Sequence, residues 1–344
     1  MDLVRFRTIT EHYPKLRLAV LGDFCLDRYL EIDPAKHESS LETGLPVHNV
    51  VKVRAQPGGA GTILNNLAAL GIGTIFPVGF AGDDGEGFEL CRALEARPGV
   101  DLEFFVRTAQ RRTFTYCKPL VLAANKPPVE LNRLDLKNWT PTPALLQGLL
   151  INRLQEVAGD IDGIIILDQV DIPETGVVTQ KVLAAVGRLV ETNPKLLILA
   201  DSRRGLRGFP PVIFKMNASE LAALSGTSNE TGLDDIKEAA AALAGENGRS
   251  VFVTLAERGI LGTDAIGRSE HIPALPLRGP IDVVGAGDAV SASLTTAIAA
   301  GADLREALEI ANAAASVVIH KLGVTGTATI GEIESLLTPT AENI

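Results

Sequence analysis

The chain has 344 residues, 46% of them hydrophobic and 22% charged, enough for one large core or two ordinary ones. Its 32 Lys and Arg stand against 42 Asp and Glu, a net charge of −10, and the absence of any basic run or aromatic-interleaved basic patch excludes nucleic acid as the main partner. Cys25, Cys91 and Cys117 lack ligand spacing, the first twenty residues lack a signal-peptide core, and no window approaches the ~18 uncharged apolar residues of a membrane span, so a cytoplasmic protein without membrane association is expected.

Residues 16–23, "LRLAVLGD", form an apolar run closed by glycine, the pattern of a buried parallel strand. Between about 28 and 55 apolar and polar residues alternate ("DRYLEID", "PVHNVVKV"), which predicts strands buried on one face only. "GGAGTILNNLAALG" predicts a Gly-rich entry into a helix, "GTIFPVG" a buried strand, and "DDGEGFELCRALEARPG" a helix capped by Asp83 or Asp84. A second alternating block runs from 104 to 135 ("FFVRT", "RRTFTYCKPLVL", "VELNRLD").

Beyond it the α/β rhythm returns. "DGIIILD" reads as a strand, 174–191 as a helix, and "KLLILAD" and "VIFKMN" as strands. "ASELAALSG" and "LDDIKEAAAALAGENG" read as helices, followed by the strand "SVFVTLA" and a hairpin around "ERGILGTDAIGRS". Two long helices follow, after Gly287 and after Asp303, the second with the capping pair Asp303 and Glu306 and a stop at Gly323. The expectation is an α/β fold: a Rossmann-like, mostly parallel sheet sandwiched by helices, in one domain over 1–344, with a small β-sheet lid from 28–55 and 104–135. Asp23, Asp168, Asp201 and Asn217 fall at strand ends and are expected to converge on one crevice.

"IDVVGAGDAV" places Asp288 at a glycine-led helix start, where free N–H groups attract anions and a carboxylate repels them. An N-cap explains one aspartate without chemistry. A dinucleotide fingerprint fails, because the motif is late in the chain and lacks a third glycine. A phosphoryl-transfer site explains both features: N–H groups of Gly285, Ala286 and Gly287 hold the phosphoryl while Asp288 takes the proton of the attacking hydroxyl. The five histidines have no ligand spacing and read as surface or satisfied residues, and Arg203 and Arg204 read as solvated loop charges in preference to phosphate contacts.

Over nearly its full length the chain resembles the ribokinase-like (PfkB) carbohydrate kinases. "DVVGAGDAV" is similar to that family's C-terminal signature, which implies Asp288 as catalytic base and Gly285, Ala286 and Gly287 as anion hole. "PGGAGTILNNLAALG" resembles the Gly-Gly signature beside the sugar, with Gly58, Gly59 and Thr62 at the substrate. "MNASE" resembles N-x-x-E, implying Asn217 and Glu220 near Mg²⁺ and the phosphates. "TLAERG" is similar to the nucleotide loop, with Thr254, Glu257 and Gly259, and "ANAAASVVIHKLG" to the helix flanking adenine, with Asn312. The family also implies ATP as phosphoryl donor, a monovalent cation such as K⁺ near Asp282, and homodimers paired through the lid, here along the alternating segment 47–53.

Within the family the likeness is greatest to heptose-phosphate kinases, the kinase module of ADP-heptose synthesis, through "VLGDFCLDRYLEID" and "RRTFTYCKPLVLAANKPPVELNRLD". That implies Asp27 on sugar hydroxyls, with Lys118 and Arg111 or Arg112 at a sugar phosphate, and Asp168 near the substrate. The departures are specific: Thr62 stands where the family carries a sugar-contacting Asn, Ala256 and Val283 replace Gly and Thr, and a Gly and a Lys are missing after Asp168. The implied function is phosphoryl transfer from ATP to a hydroxyl of a sugar or sugar phosphate, heptose-phosphate-like. The alternatives are a nucleoside or fructose-phosphate kinase of the same family, or a non-catalytic sugar- or nucleotide-binding protein.

Overall fold

The computed structural model describes residues 1–123, 126–227, 232–323 and 325–338. Eight strands form the central sheet in the order Ser269–Ile272, Ile260–Thr263, Val251–Thr254, Ile213–Asn217, Leu197–Ser202, Gly163–Asp168, Arg17–Gly22, Thr74–Val78. The six from Val251–Thr254 to Thr74–Val78 run parallel, and the other two form an antiparallel edge.

The inner strands are continuous apolar runs because both their faces are covered. Leu18, Val20, Ile165 and Leu167 point into one core with the helices Ala60–Ala69, Ala286–Ala299 and Leu304–Val318. Ala19, Leu21, Ile164 and Ile166 point into the other, with Ala144–Val157, Gln180–Thr192 and Leu233–Asn247. This is the α/β sandwich expected from the alternating rhythm.

The lid is a five-stranded sheet: Val129–Glu130, Phe114–Val121, Phe24–Ile32 and Val50–Gly59 in that order, with Leu134–Leu136 also beside Phe114–Val121. It grows straight out of the first central strand, since Asp23 alone separates Gly22 from Phe24. The buried Asp23 carboxylate accepts N–H groups of Gln169 (2.8 Å), Val170 (3.2 Å) and Val177 (2.6 Å), fastening this hinge to the loop after Gly163–Asp168. Burial, then Asp168, pushes the Asp23 carboxyl up to about 6 despite those donors.

Four boundaries differ from expectation. The lid begins at Phe24 rather than 28 and continues to Gly59. Val106–Thr108 leaves the lid to pair with Phe80–Gly82 in a separate two-stranded sheet. The expected helix at 174–191 is Gln180–Thr192, because 169–178 is spent wrapping Asp23 and Thr179 supplies the N-cap. The paired segment at the lid margin is Val50–Gly59, while Val47 belongs to a small hairpin with Glu38–Ser39. Helices Leu3–Thr10, Ala144–Val157 and Ile330–Leu337 are additions to the elements read from the sequence.

Candidate active site

Asp288 lies in the first turn of Ala286–Ala299, in the electrostatic field of Asp201 on the central sheet and of Asp27 on the lid. Gly285 precedes this helix at φ +85°, and a Cβ there would lie 2.7 Å from Thr325 Cγ2, so only glycine allows the turn and the close approach. The Ala286 N–H is directed to Val283 O (3.2 Å). Gly285, Gly287 and Asp288 have N–H groups with no acceptor among the described residues, so of the triplet 285–287 only the Ala286 N–H is already engaged, and the Asp288 N–H is open beside the other two.

The Asp288 carboxyl is pushed up to about 7. Burial is the largest cause; Asp201 raises it further, Lys215 opposes, and Asp27 on the lid adds to the rise. A carboxyl near neutrality is the poise that proton removal from a hydroxyl requires. The Lys215 ammonium, itself buried, donates to Asp201 Oδ2 at 2.6 Å, and Ser291 Oγ donates to the same oxygen at 3.3 Å.

The polar face of the lid meets this cluster. Strand register sets Gln56, Asp27 and Tyr116 side by side, with Gly58 beside Cys25 and Lys118 beside Tyr29. A Cβ on Gly58 would lie 2.5 Å from Asp27 Oδ2, so glycine leaves the space in which the Asp27 carboxylate lies. Burial raises the Asp27 carboxyl, and Lys118 and Arg133 lower it. Gln56 Nε2 and Asp135 Oδ1 are buried without hydrogen-bond partners among the described residues. Lys118 Nζ lies 5.2 Å from the Tyr29 ring centroid and forms no ion pair among the described residues.

At the other end of the crevice, Asn217 and Thr254 are neighbours in register at two parallel strand ends. Asn217 and Glu220 form a capping box: Glu220 N donates to Asn217 Oδ1 (2.9 Å) and Asn217 N to Glu220 Oε2 (2.7 Å), and Glu220 Oε1 has no hydrogen-bond partner among the described residues. Asp282 Oδ1 accepts the Val284 N–H (3.0 Å). Gly259 ends the turn Ala256–Arg258 at φ +93°, where a Cβ would fall 2.0 Å from Ile272 O. Glu257 is exposed on that turn. Asn312 Nδ2 donates to Pro273 O (2.8 Å), tying Leu304–Val318 to the segment after Ser269–Ile272.

Several expected residues are occupied elsewhere. Arg111 is buried, and its guanidinium donates to Thr140 Oγ1 and to the carbonyls of Thr140 and Pro141, which removes it from any phosphate. Arg112 faces Asp84 at 3.7 Å. Asp168 is wholly buried; its Oδ2 accepts from Ser202 Oγ and Arg204 Nη2 (both 2.8 Å), while its Oδ1 has no hydrogen-bond partner among the described residues. Thr62 is buried on the Gly285 side, and Asn65 and Asn66 donate to the carbonyls of Pro57 and Thr62, so neither replaces the missing asparagine.

Sequence reasoning overlooked Lys215, Arg133 and Gln56. Lys215 carried a signal: it is the one charged residue in the buried run "VIFKMN", and a charge inside a covered strand requires a partner.

Comparison with known proteins fits this geometry. The chain is 30% identical over 328 residues to the bifunctional protein HldE of Azorhizobium caulinodans, covering 95% of itself and 65% of that relative; it therefore spans about two thirds of the relative's length. Ribokinase of Arabidopsis thaliana, solved with ribose and ATP, superposes with a TM-score of 0.66 at 20% identity, covering 94% of this chain and 99% of that one. Phosphofructokinase-2 of Escherichia coli, solved with potassium, gives 0.69 at 20% identity, covering 93% and 98%. The profile of the pfkB family carbohydrate kinases matches residues 16–330, and with the glycine-led Asp288 helix start and the β lid in place, the chain belongs to that family and is a sugar phosphotransferase.

Proposed function

We propose that this kinase transfers the γ-phosphoryl group of ATP to a hydroxyl of a sugar that already carries a phosphate, heptose-phosphate-like in size and charge. The observation that carries the reading is Lys118: an ammonium with no ion-pair partner among the described residues, on the crevice face of the lid and in the electrostatic field of Asp27. Asp27 is an acceptor-only group suited to sugar hydroxyls, and an ammonium beside it suits an anion on the same molecule. Arg133, which shares the Asp27 field, lies at this end too, its guanidinium paired with Asp135 at 2.7 Å.

In this reading Asp288 takes the proton of the attacking hydroxyl. The N–H groups of Gly285, Gly287 and Asp288 receive the charge that develops on the phosphoryl oxygens. The lid excludes water, so that the phosphoryl group passes to the sugar. Mg²⁺ would supply charge neutralisation on the phosphates. Glu220 Oε1 with Asn217 fits it, since Mg²⁺ is usually held by one or two carboxylates, water and substrate phosphates. Asp282 has one carboxylate oxygen beyond its turn contact for a monovalent cation. Relatives of this family support ATP and sugar as the ligand classes.

The test is ADP release with Mg·ATP across matched pairs of sugars with and without a phosphate, for wild type and Lys118→Met. The phosphorylated member of a pair should be preferred by at least tenfold in kcat/KM. Lys118→Met should erase about 10- to 100-fold of that preference while leaving the neutral sugar's rate unchanged, as expected for one charged hydrogen bond. Equal use of both members by wild type would overturn the reading.

A further inference from the structure

Lys215 is 5% exposed and carries a charge on a strand whose neighbours are apolar. Its Nζ is spent on one acceptor, Asp201 Oδ2, although an ammonium has three protons to donate. A Cβ built on Gly287 would lie 2.9 Å from Nζ, so the ammonium rests against the second residue of the Asp288 helix, beside the free N–H groups. The groups that share its field are Asp201, Asp288 and Glu220. Ser291 Oγ, one helical turn beyond Asp288, donates to the Asp201 oxygen that holds it. An anion entering the N–H cradle from the crevice therefore meets a fixed positive charge on the Gly287 side.

We propose that Lys215, held in place by Asp201, is a further catalytic residue of this kinase: its ammonium contacts the phosphoryl group during transfer. The inference rests on the phosphoryl-transfer reading above. In the step, the acceptor oxygen forms its bond to the γ-phosphorus as the bond from that phosphorus to the β-phosphate oxygen breaks. The hydroxyl proton passes to the Asp288 carboxylate, ADP leaves with the electron pair, and Lys215 keeps all three protons throughout. The positive charge is preorganised, so it stabilises the charge spread over the equatorial oxygens without reorganising at the moment of reaction.

The competing account makes Lys215 a counterion for Asp201 and nothing more. Three variants separate the two: Asp201→Asn, Lys215→Met, and the double variant, which removes the buried pair as a pair and so leaves no orphaned charge. Melting temperature, kcat, ATP affinity, and affinity for ADP with aluminium fluoride plus acceptor, a mimic of the transferring phosphoryl, are measured on each. The double variant is expected to melt within a few degrees of wild type and bind ATP within about fivefold. It should nonetheless lose at least 100-fold in kcat and in affinity for the aluminium fluoride complex. Asp201→Asn, which keeps the ammonium, should lose no more than about tenfold.

A double variant that regains wild-type turnover would make Lys215 a counterion and overturn the proposal. So would a double variant that fails to fold while Asp201→Asn folds, and so would equal losses in Asp201→Asn and the double variant. If wild type itself transfers to no acceptor, the phosphoryl-transfer reading fails first, which keeps the two failures apart.

Discussion

Replacing Asp288 by Asn removes a charge that the folded state holds at a disadvantage, and the gain in stability has a definite pH dependence. The carboxyl lies near 3.8 when free and at about 7 in the fold. At about 1.4 kcal/mol per tenfold change in proton affinity, that gap has a ceiling of about 4 kcal/mol. Asp288 retains some contact with solvent at the crevice, so screening reduces the working figure to about 2 kcal/mol. Below pH about 4 the group is protonated in both states and contributes nothing. As pH rises the unfolded chain releases the proton first, so wild type loses stability until the folded carboxyl has also ionised, above pH about 7. Asp288→Asn should therefore match wild type near pH 4 and exceed it by about 2 kcal/mol at pH 8, roughly 4 °C in melting temperature for a chain of this size. Asp23, also raised, is present in both proteins and cancels in the difference. Thermal or urea unfolding of both proteins across pH 4 to 8 provides the comparison. A difference that stays constant with pH, or a wild type that is the more stable at pH 8, would refute the reasoning.

Ala256 sits at φ +52°, in the left-handed region that favours glycine. Ala256→Gly relieves about 1–2 kcal/mol of strain against up to ~1 kcal/mol of added chain entropy, so a net gain of about 0.5–1 kcal/mol is expected in urea unfolding. Arg111→Ala leaves two backbone carbonyls and the Thr140 hydroxyl without their donor, and should lower stability by about 2–4 kcal/mol while leaving the acceptor KM within about twofold. The outer lid strand Val50–Gly59 exposes Val50, Val51 and Val53 along an edge unpaired among the described residues. Pairing of two lids there would give a solution mass near twice 36.3 kDa by light scattering, and a monomer at micromolar concentration would contradict it.

The sandwich was legible because its signals are local and periodic. Apolar runs such as "GIIILD" have one packing solution, a strand covered on both faces, and the capping pair at Asp303 and Glu306 marks a helix start wherever the chain goes. Asp288 and the glycines before it were legible as a motif. The errors came where tertiary contacts override local pattern. The helix expected from 174 begins only at Gln180, since within 174–178 the Val177 N–H is claimed by Asp23, as are those of Gln169 and Val170 before it, from some 150 positions earlier in the chain. The segment 106–108 alternates like a lid strand but finds its partner in Phe80–Gly82. Arg111 was a plausible phosphate ligand by charge and position alone; its use as a clamp on the Thr140–Pro141 carbonyls depends on a fold-level approach that spacing does not encode. Lys215 and Asp201 lie fourteen residues apart on adjacent strands, and only the sheet register joins them.

The most direct measurement is phosphoryl transfer from Mg·ATP to the preferred acceptor by wild type and Asp288→Asn, with ATP affinity determined for both. With Asp288 as the base that receives the hydroxyl proton, kcat should fall by about 10³ or more while the ATP dissociation constant stays within a few-fold. Equal turnover by the two proteins would remove Asp288 from the chemistry, and with it the catalytic role of the crevice.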